Sequence, residues 1–138
     1  MRRLLPALLL VLSSPALAED PDPSAAIIDG VYLNDPALCD RAKSEGVEAV
    51  AADGNVVLHP GKLESVEYHC EFVDVKTVGD NALVVTAYCE EPGYAFPDLM
   101  TIIRREEGKL EITSVRDQPE MPGGNSGTWV KCDGVSMP

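Results

Sequence analysis

Leu63-Glu64-Ser65-Val66-Glu67-Tyr68-His69-Cys70-Glu71-Phe72-Val73-Asp74-Val75-Lys76-Thr77-Val78, then Gly79-Asp80-Asn81, then Ala82-Leu83-Val84-Val85-Thr86-Ala87-Tyr88-Cys89-Glu90-Glu91 is the stretch whose reading decides the fold. Val66, Tyr68, Cys70 and Phe72 alternate with Glu67, His69 and Glu71. That period of two suits a half-buried strand, because successive side chains leave opposite faces. Gly79-Asp80 is a favoured pair for a two-residue hairpin turn, since glycine accepts a positive φ without a steric penalty. With that turn Val78 pairs with Asn81, and the same register sets Cys70 opposite Cys89. Glu67, His69 and Glu71 then share the other face with Tyr88 and Glu90.

The hairpin bears on the cysteines. There are four, at 39, 70, 89 and 132, and they allow three pairings. The register selects Cys70–Cys89 and leaves Cys39–Cys132 to tie the N-terminal part to the last strand. No Cys-x-x-Cys occurs and the spacings are wide, which favours disulfides over a tetrahedral zinc site. Disulfides in turn imply an oxidising compartment.

The N-terminus agrees with that compartment. Met1-Arg2-Arg3 precedes a short apolar run to Leu12, and Ala16-Leu17-Ala18 precedes Glu19-Asp20. A basic start, an apolar segment too short to span a bilayer and small residues two apart at the cut form a secretory signal peptide over residues 1–18. The mature chain is expected to start at Glu19 and to be periplasmic or secreted, with no membrane insertion once the leader is removed. Its charge moves from −12 to −14, because the leader carries Arg2 and Arg3 and no acid. Such an anion repels nucleic acid and anionic lipid; the charge either keeps a soluble protein dispersed, the ordinary reading, or suits a basic protein as partner.

About 120 residues then remain, enough for one core. Residues 19–26 read as a flexible acidic, proline-rich arm, and residues 27–138 as a single β domain. A first strand is expected over 27–33. Asp35-Pro36 reads as a helix start, with an N-cap acceptor followed by proline, and the helix is expected over 36–45 with Gly46 ending it. Residues 47–52 and 56–59 read as a hairpin around Asp53-Gly54. Pro92 to Asp98 reads as a loop that exposes Tyr94 and Phe96. Residues 99–105 and 110–115 read as another hairpin, 117–127 as a loop, and 128–132 as the last strand. The expected architecture is mainly β: a small antiparallel barrel or sandwich of seven to eight strands with one short helix, stapled by disulfides.

Residues able to carry chemistry are sparse. Only His59 and His69 could act as a base, and neither sits in a Gly-x-Ser-x-Gly or similar setting. No glycine-rich phosphate loop leads into a helix. The chain is therefore expected not to be an enzyme, and no cofactor is expected. Glu67, His69, Glu71 and Glu90 are the one metal-ligating candidate, since strand residues two apart share a face; an ordinary solvated sheet face is the alternative. Tyr94, Phe96, Ser126 and Trp129 are the candidates for a partner or ligand contact; the alternative for Tyr94 and Phe96 is to fold back and close the end of a barrel, and Trp129, close to Cys132 on a strand, is expected to serve the core first.

Two resemblances bear on the fold. Tyr32 and Cys39, then Glu67-Tyr68-His69-Cys70, Cys89, Gly108-Lys109-Leu110 and Cys132 resemble the pattern of a group of small exported four-cysteine proteins of α-proteobacteria. That resemblance implies fold and disulfides and carries no activity. Ser126-Gly127-Thr128-Trp129-Val130 is similar to the Ser-Gly-x-x-Tyr loop of periplasmic c-type lysozyme inhibitors, small disulfide-bonded β-barrels, with Val130 where those have tyrosine. Three functions follow as expectations: a non-catalytic exported domain that binds or has a structural role, an inhibitor of a cationic secreted hydrolase, and a carrier of a small apolar ligand in a barrel mouth near Tyr94 and Phe96.

Overall fold

The computed structural model describes residues 20–117 and 125–138. The leader expected over residues 1–18, the expected mature start at Glu19 and the middle of the 117–127 loop lie outside the described residues. Eight strands close into an antiparallel barrel in which each pairs with its neighbour in sequence and the last returns to the first. They are β1 (Tyr32–Leu33), β2 (Val57–His59), β3 (Lys62–Glu64), β4 (His69–Val78), β5 (Ala82–Glu91), β6 (Tyr94–Glu106), β7 (Lys109–Ser114) and β8 (Gly127–Lys131). Closure gives every strand a neighbour on both sides, although β3 covers only the His69–Glu71 part of β4.

The β4–β5 hairpin sets Cys70 opposite Cys89, as the alternation requires, but by a different path. Val78 faces Ala82 rather than Asn81, so the turn has three residues, with Gly79 at φ +60°. That shifts the register by one. A bulge between Phe72 and Asp74 shifts it back, since the extra residue Val73 opposes no partner of its own. The two offsets cancel before the cysteines are reached. Cys70–Cys89 and Cys39–Cys132 are both bonded, and no described cysteine is free. Closing loops of 19 and 93 residues removes unfolded-state entropy worth about 3 and about 4.5 kcal/mol in the chain-entropy picture.

Inward residues of the long strands fill the barrel. Leu83, Val85, Met100, Ile102, Leu110 and Ile112 are buried there with Leu58, Leu63 and Trp129. Each such side chain contributes about 1.5–3 kcal/mol relative to exposure. Trp129 lies in this core, as its place on a strand beside Cys132 suggests.

The N-terminal segment differs from the sequence expectation. Residues Pro23–Ala26 of the expected flexible arm form a 3-10 turn, and the strand expected over 27–33 is reduced to Tyr32–Leu33. Asp22 accepts from the Ser24 amide (2.8 Å), Ser24 Oγ accepts the Gly61 amide (2.8 Å), and Ile27 and Ile28 enter the barrel core. Arg104 caps the segment by donating to the Ile27 carbonyl (2.7 Å). Two buried isoleucines and these polar ties outweigh the mobility implied by a proline-rich, acidic composition.

Helix α1 (Pro36–Glu45) starts as expected, with Asp35 accepting from the Ala37 amide (2.9 Å) and Gly46 beyond its last turn. Residues 47–52 form a second helix, α2 (Val47–Ala52), not the first arm of a hairpin. Val47 and Val50 are three apart on one helical face, and three alanines favour the helix. The two helices lie outside the barrel, where Cys39, Ala42, Val47 and Val50 pack with Leu33, Val57 and Cys132 in a second core. Strand β2 is thereby buried on both faces. Val66 is exposed rather than inward, because the strand begins only at His69 and the 65–68 bend is tied by Ser65 N–H to the Tyr68 carbonyl (2.7 Å).

Candidate functional site

A buried polar network lies at one end of the barrel, where β4, β6 and β7 meet the loop before β8. On β6 the alternation Phe96, Asp98, Met100, Ile102 runs inward, so Asp98 enters the interior at 2% exposure. Ser114 Oγ donates to its carboxylate, 2.8 Å from each oxygen, and Asn125 Nδ2 lies 3.5 Å away. Asn125 Nδ2 also donates to the Tyr68 hydroxyl (2.7 Å), and its carbonyl accepts from Trp129 Nε1 (3.2 Å). A disulfide sulfur has no proton, so the Tyr68 hydroxyl, 2.8 Å from Cys70 Sγ, donates to it. Burial pushes the Tyr68 phenol up to about 12, helped by the charges of Asp98 and Glu91.

Tyr94 and Phe96 do not form an exposed loop pair. Both belong to β6, with Phe96 inside at 5% exposure and Tyr94 out in solvent, their ring centroids 5.0 Å apart. The sequence missed this because proline at 97 reads as a loop, whereas it sits at an outward position of the strand. Arg116 stacks over Phe96, its Cζ 3.7 Å from the ring centroid, and donates to the Tyr94 hydroxyl (2.8 Å). Ser126 accepts the Ser114 amide (2.8 Å) on its hydroxyl and donates its own amide to Asp117 (2.7 Å), so its side chain is engaged by the end of β7.

The metal-ligating candidates fall on the outer face of β4 and β5 without converging. His69 opposes Glu90, Glu71 opposes Tyr88, and Glu67 lies on the bend before the strand. His69 instead approaches Glu64 (3.9 Å), whose other oxygen holds His59 Nε2 at 2.8 Å. Both histidines of the chain thus meet one carboxylate, a pairing the sequence conceals because residues 59 and 64 lie across the β2–β3 turn. Among the described residues no group of three or more His, Cys, Asp or Glu side chains is placed to hold a metal ion.

Among the described residues there are hollows elsewhere too. An apolar groove of about 310 Å³ runs between α2 and β3, lined by Val47, Ala51, Val57, Val66 and Met137. A charged hollow of about 700 Å³ at the opposite barrel end is bordered by Asp29, Arg104, Lys131 and Asp133. There the Tyr32 hydroxyl (2.6 Å) and Lys131 (3.0 Å) bond Asp29 and hold its carboxyl below the ordinary range. Asp98, Asn125 and Tyr68 were not singled out by sequence; the signal for Asp98 was its place in the inward alternation of β6. No family model, curated protein or solved structure matches this chain.

Proposed function

We propose that the chain is an exported, non-catalytic domain that works by binding through its outer surface. The observation that carries this is the state of Asp98. The carboxylate inside the barrel is tied to Ser114 and Asn125, while both histidines lie on the outer face at Glu64. A Ser–Asp contact without a neighbouring base supplies no activated nucleophile. It does satisfy a buried charge and fasten β6, β7 and the β8 approach together. The paired disulfides, the short apolar N-terminal stretch and the acidic charge support export and a soluble state.

Of the alternatives, an apolar-ligand carrier would need an open lumen, and the interior is occupied by Leu83, Val85, Met100 and Ile102. A lysozyme inhibitor acting through Ser126-Gly127 would need a loop free to enter a cleft, and Ser126 is held against Ser114. The acidic charge remains in favour of a basic partner.

Ser114→Ala provides the test. The oxidised protein and the variant, each immobilised at low salt, should retain the same proteins from an exported fraction in equal amounts. Turnover of any compound by the wild type that Ser114→Ala abolishes would contradict the proposal.

A further inference from the structure

The outer faces of this barrel differ sharply in charge. On β3 and β4 the outward positions hold Lys62, Glu64, His69, Glu71, Asp74 and Lys76, with Val78 at the hairpin end. On β5, β6 and the end of β7 the corresponding positions are Tyr88 opposite Pro97, Thr86 opposite Leu99, and Leu99 beside Val115, whose amide donates to the Leu99 carbonyl (3.0 Å). Tyr88, Leu99 and Val115 are 48%, 44% and 59% exposed. The β4 bulge extends the patch by turning Val73 outward, 61% exposed, at the same level. Strand geometry does not forbid charge at these positions, since the neighbouring strands carry it. In a chain of net charge −12 an uncharged, aromatic and aliphatic sheet face is a contrast that requires a reason.

We propose that this face is a docking site for a basic protein, one that presents apolar side chains flanked by lysine or arginine. The proposal rests on the non-catalytic binding role given above and names its surface and partner class. The choice of partner follows from the border. Glu71 stands opposite Tyr88, Asp74 opposite Thr86, and Glu90 follows two residues after Tyr88 on the same face. All three are exposed and form no ion pair with a described residue. An apolar centre with a charged rim is the anatomy of a protein interface, and an acidic rim attracts a cationic partner while repelling a second acidic copy. Lys62 faces Glu71 and the exposed Lys76 follows Asp74 on β4, so the border carries both signs, and it is the net charge of −12 on each copy that opposes self-pairing.

The probes are two peptides of equal charge, one alternating leucine with lysine and one alternating serine with lysine. Each is titrated into the oxidised protein by calorimetry at about 10 mM and about 150 mM salt, between which the screening length falls from about 30 to about 8 Å. The leucine peptide should bind about tenfold more tightly than the serine peptide, and Leu99→Asp should remove that advantage, as loss of a central anchor does. Leu99 is on the surface, so the variant should melt with the wild type; Thr86→Asp repeats the test beside it. Glu71→Gln with Asp74→Asn and Glu90→Gln should weaken binding at low salt and flatten its salt dependence. Equal affinity for both peptides, or indifference to Leu99→Asp, would overturn the docking face. Self-association that strengthens with salt and vanishes in Leu99→Asp would overturn the basic partner in favour of a second copy. If Leu99→Asp still retains a partner from the exported fraction, the binding role stands and this face is not its seat.

Discussion

Tyr68 is a single side chain that joins separate parts of this protein. Its hydroxyl accepts from Asn125 and donates to the Cys70 sulfur, joining the loop before β8 to the β4–β5 disulfide. Its phenol is pushed up to about 12 from 10, chiefly by burial. A raised folded value means that the stability contributed by neutral Tyr68 is complete below about pH 10 and is lost as pH rises through about 12. Wild-type melting temperature should therefore fall across that alkaline window. Tyr68→Phe should start lower at neutral pH, by about 1 kcal/mol for the lost hydrogen bonds, and fall less steeply above pH 10. Identical alkaline slopes would contradict the burial of that hydroxyl. At Asp98 the cost is larger, since a charged acceptor is involved. Ser114→Ala should lower stability by about 2 kcal/mol, read from the denaturant midpoint, because it leaves a buried carboxylate with one fewer donor.

At the scale of elements, the β4–β5 hairpin shows how much a local rule can carry. Alternation and the cysteine positions were legible in the sequence, and the pairing of Cys70 with Cys89 follows from them. The turn length and the bulge were not, because a three-residue turn and an extra residue at Val73 leave the same cysteines facing each other. A register argument that starts from the turn cannot distinguish the two. Deleting Val73 should close the ladder from Phe72 directly to Asp74 and preserve the disulfide, seen in a non-reducing peptide map. Gly79→Ala places a side chain at φ +60° and should cost about 1 kcal/mol, with Gly79→Asn costing less. The α2 segment was misread for a related reason. In Val-Glu-Ala-Val-Ala-Ala a strand would part Val47 from Val50, whereas one helical face joins them against Leu33 and Val57.

At the scale of the whole molecule, the fold class was within reach because eight short strands separated by turns have few compact arrangements. The site was less accessible, since burial of Asp98 and the charge contrast between outer faces appear only when strands are set side by side. The two disulfides divide the structure: one lies in the barrel core and the other ties the helical layer to the residue after β8. Replacing Cys39 and Cys132 with serine should cost about 2–5 kcal/mol, and amide exchange should rise first in α1 and α2, not in β5 and β6.

Mass mapping of the unreduced protein, recovered from the cells that produce it, bears most directly on the barrel and its compartment together. The expected result is a chain that begins at Glu19, contains no free thiol, and joins Cys70 to Cys89 and Cys39 to Cys132. A link from Cys70 to either Cys39 or Cys132, or four free thiols on a chain that keeps residues 1–18, would contradict it.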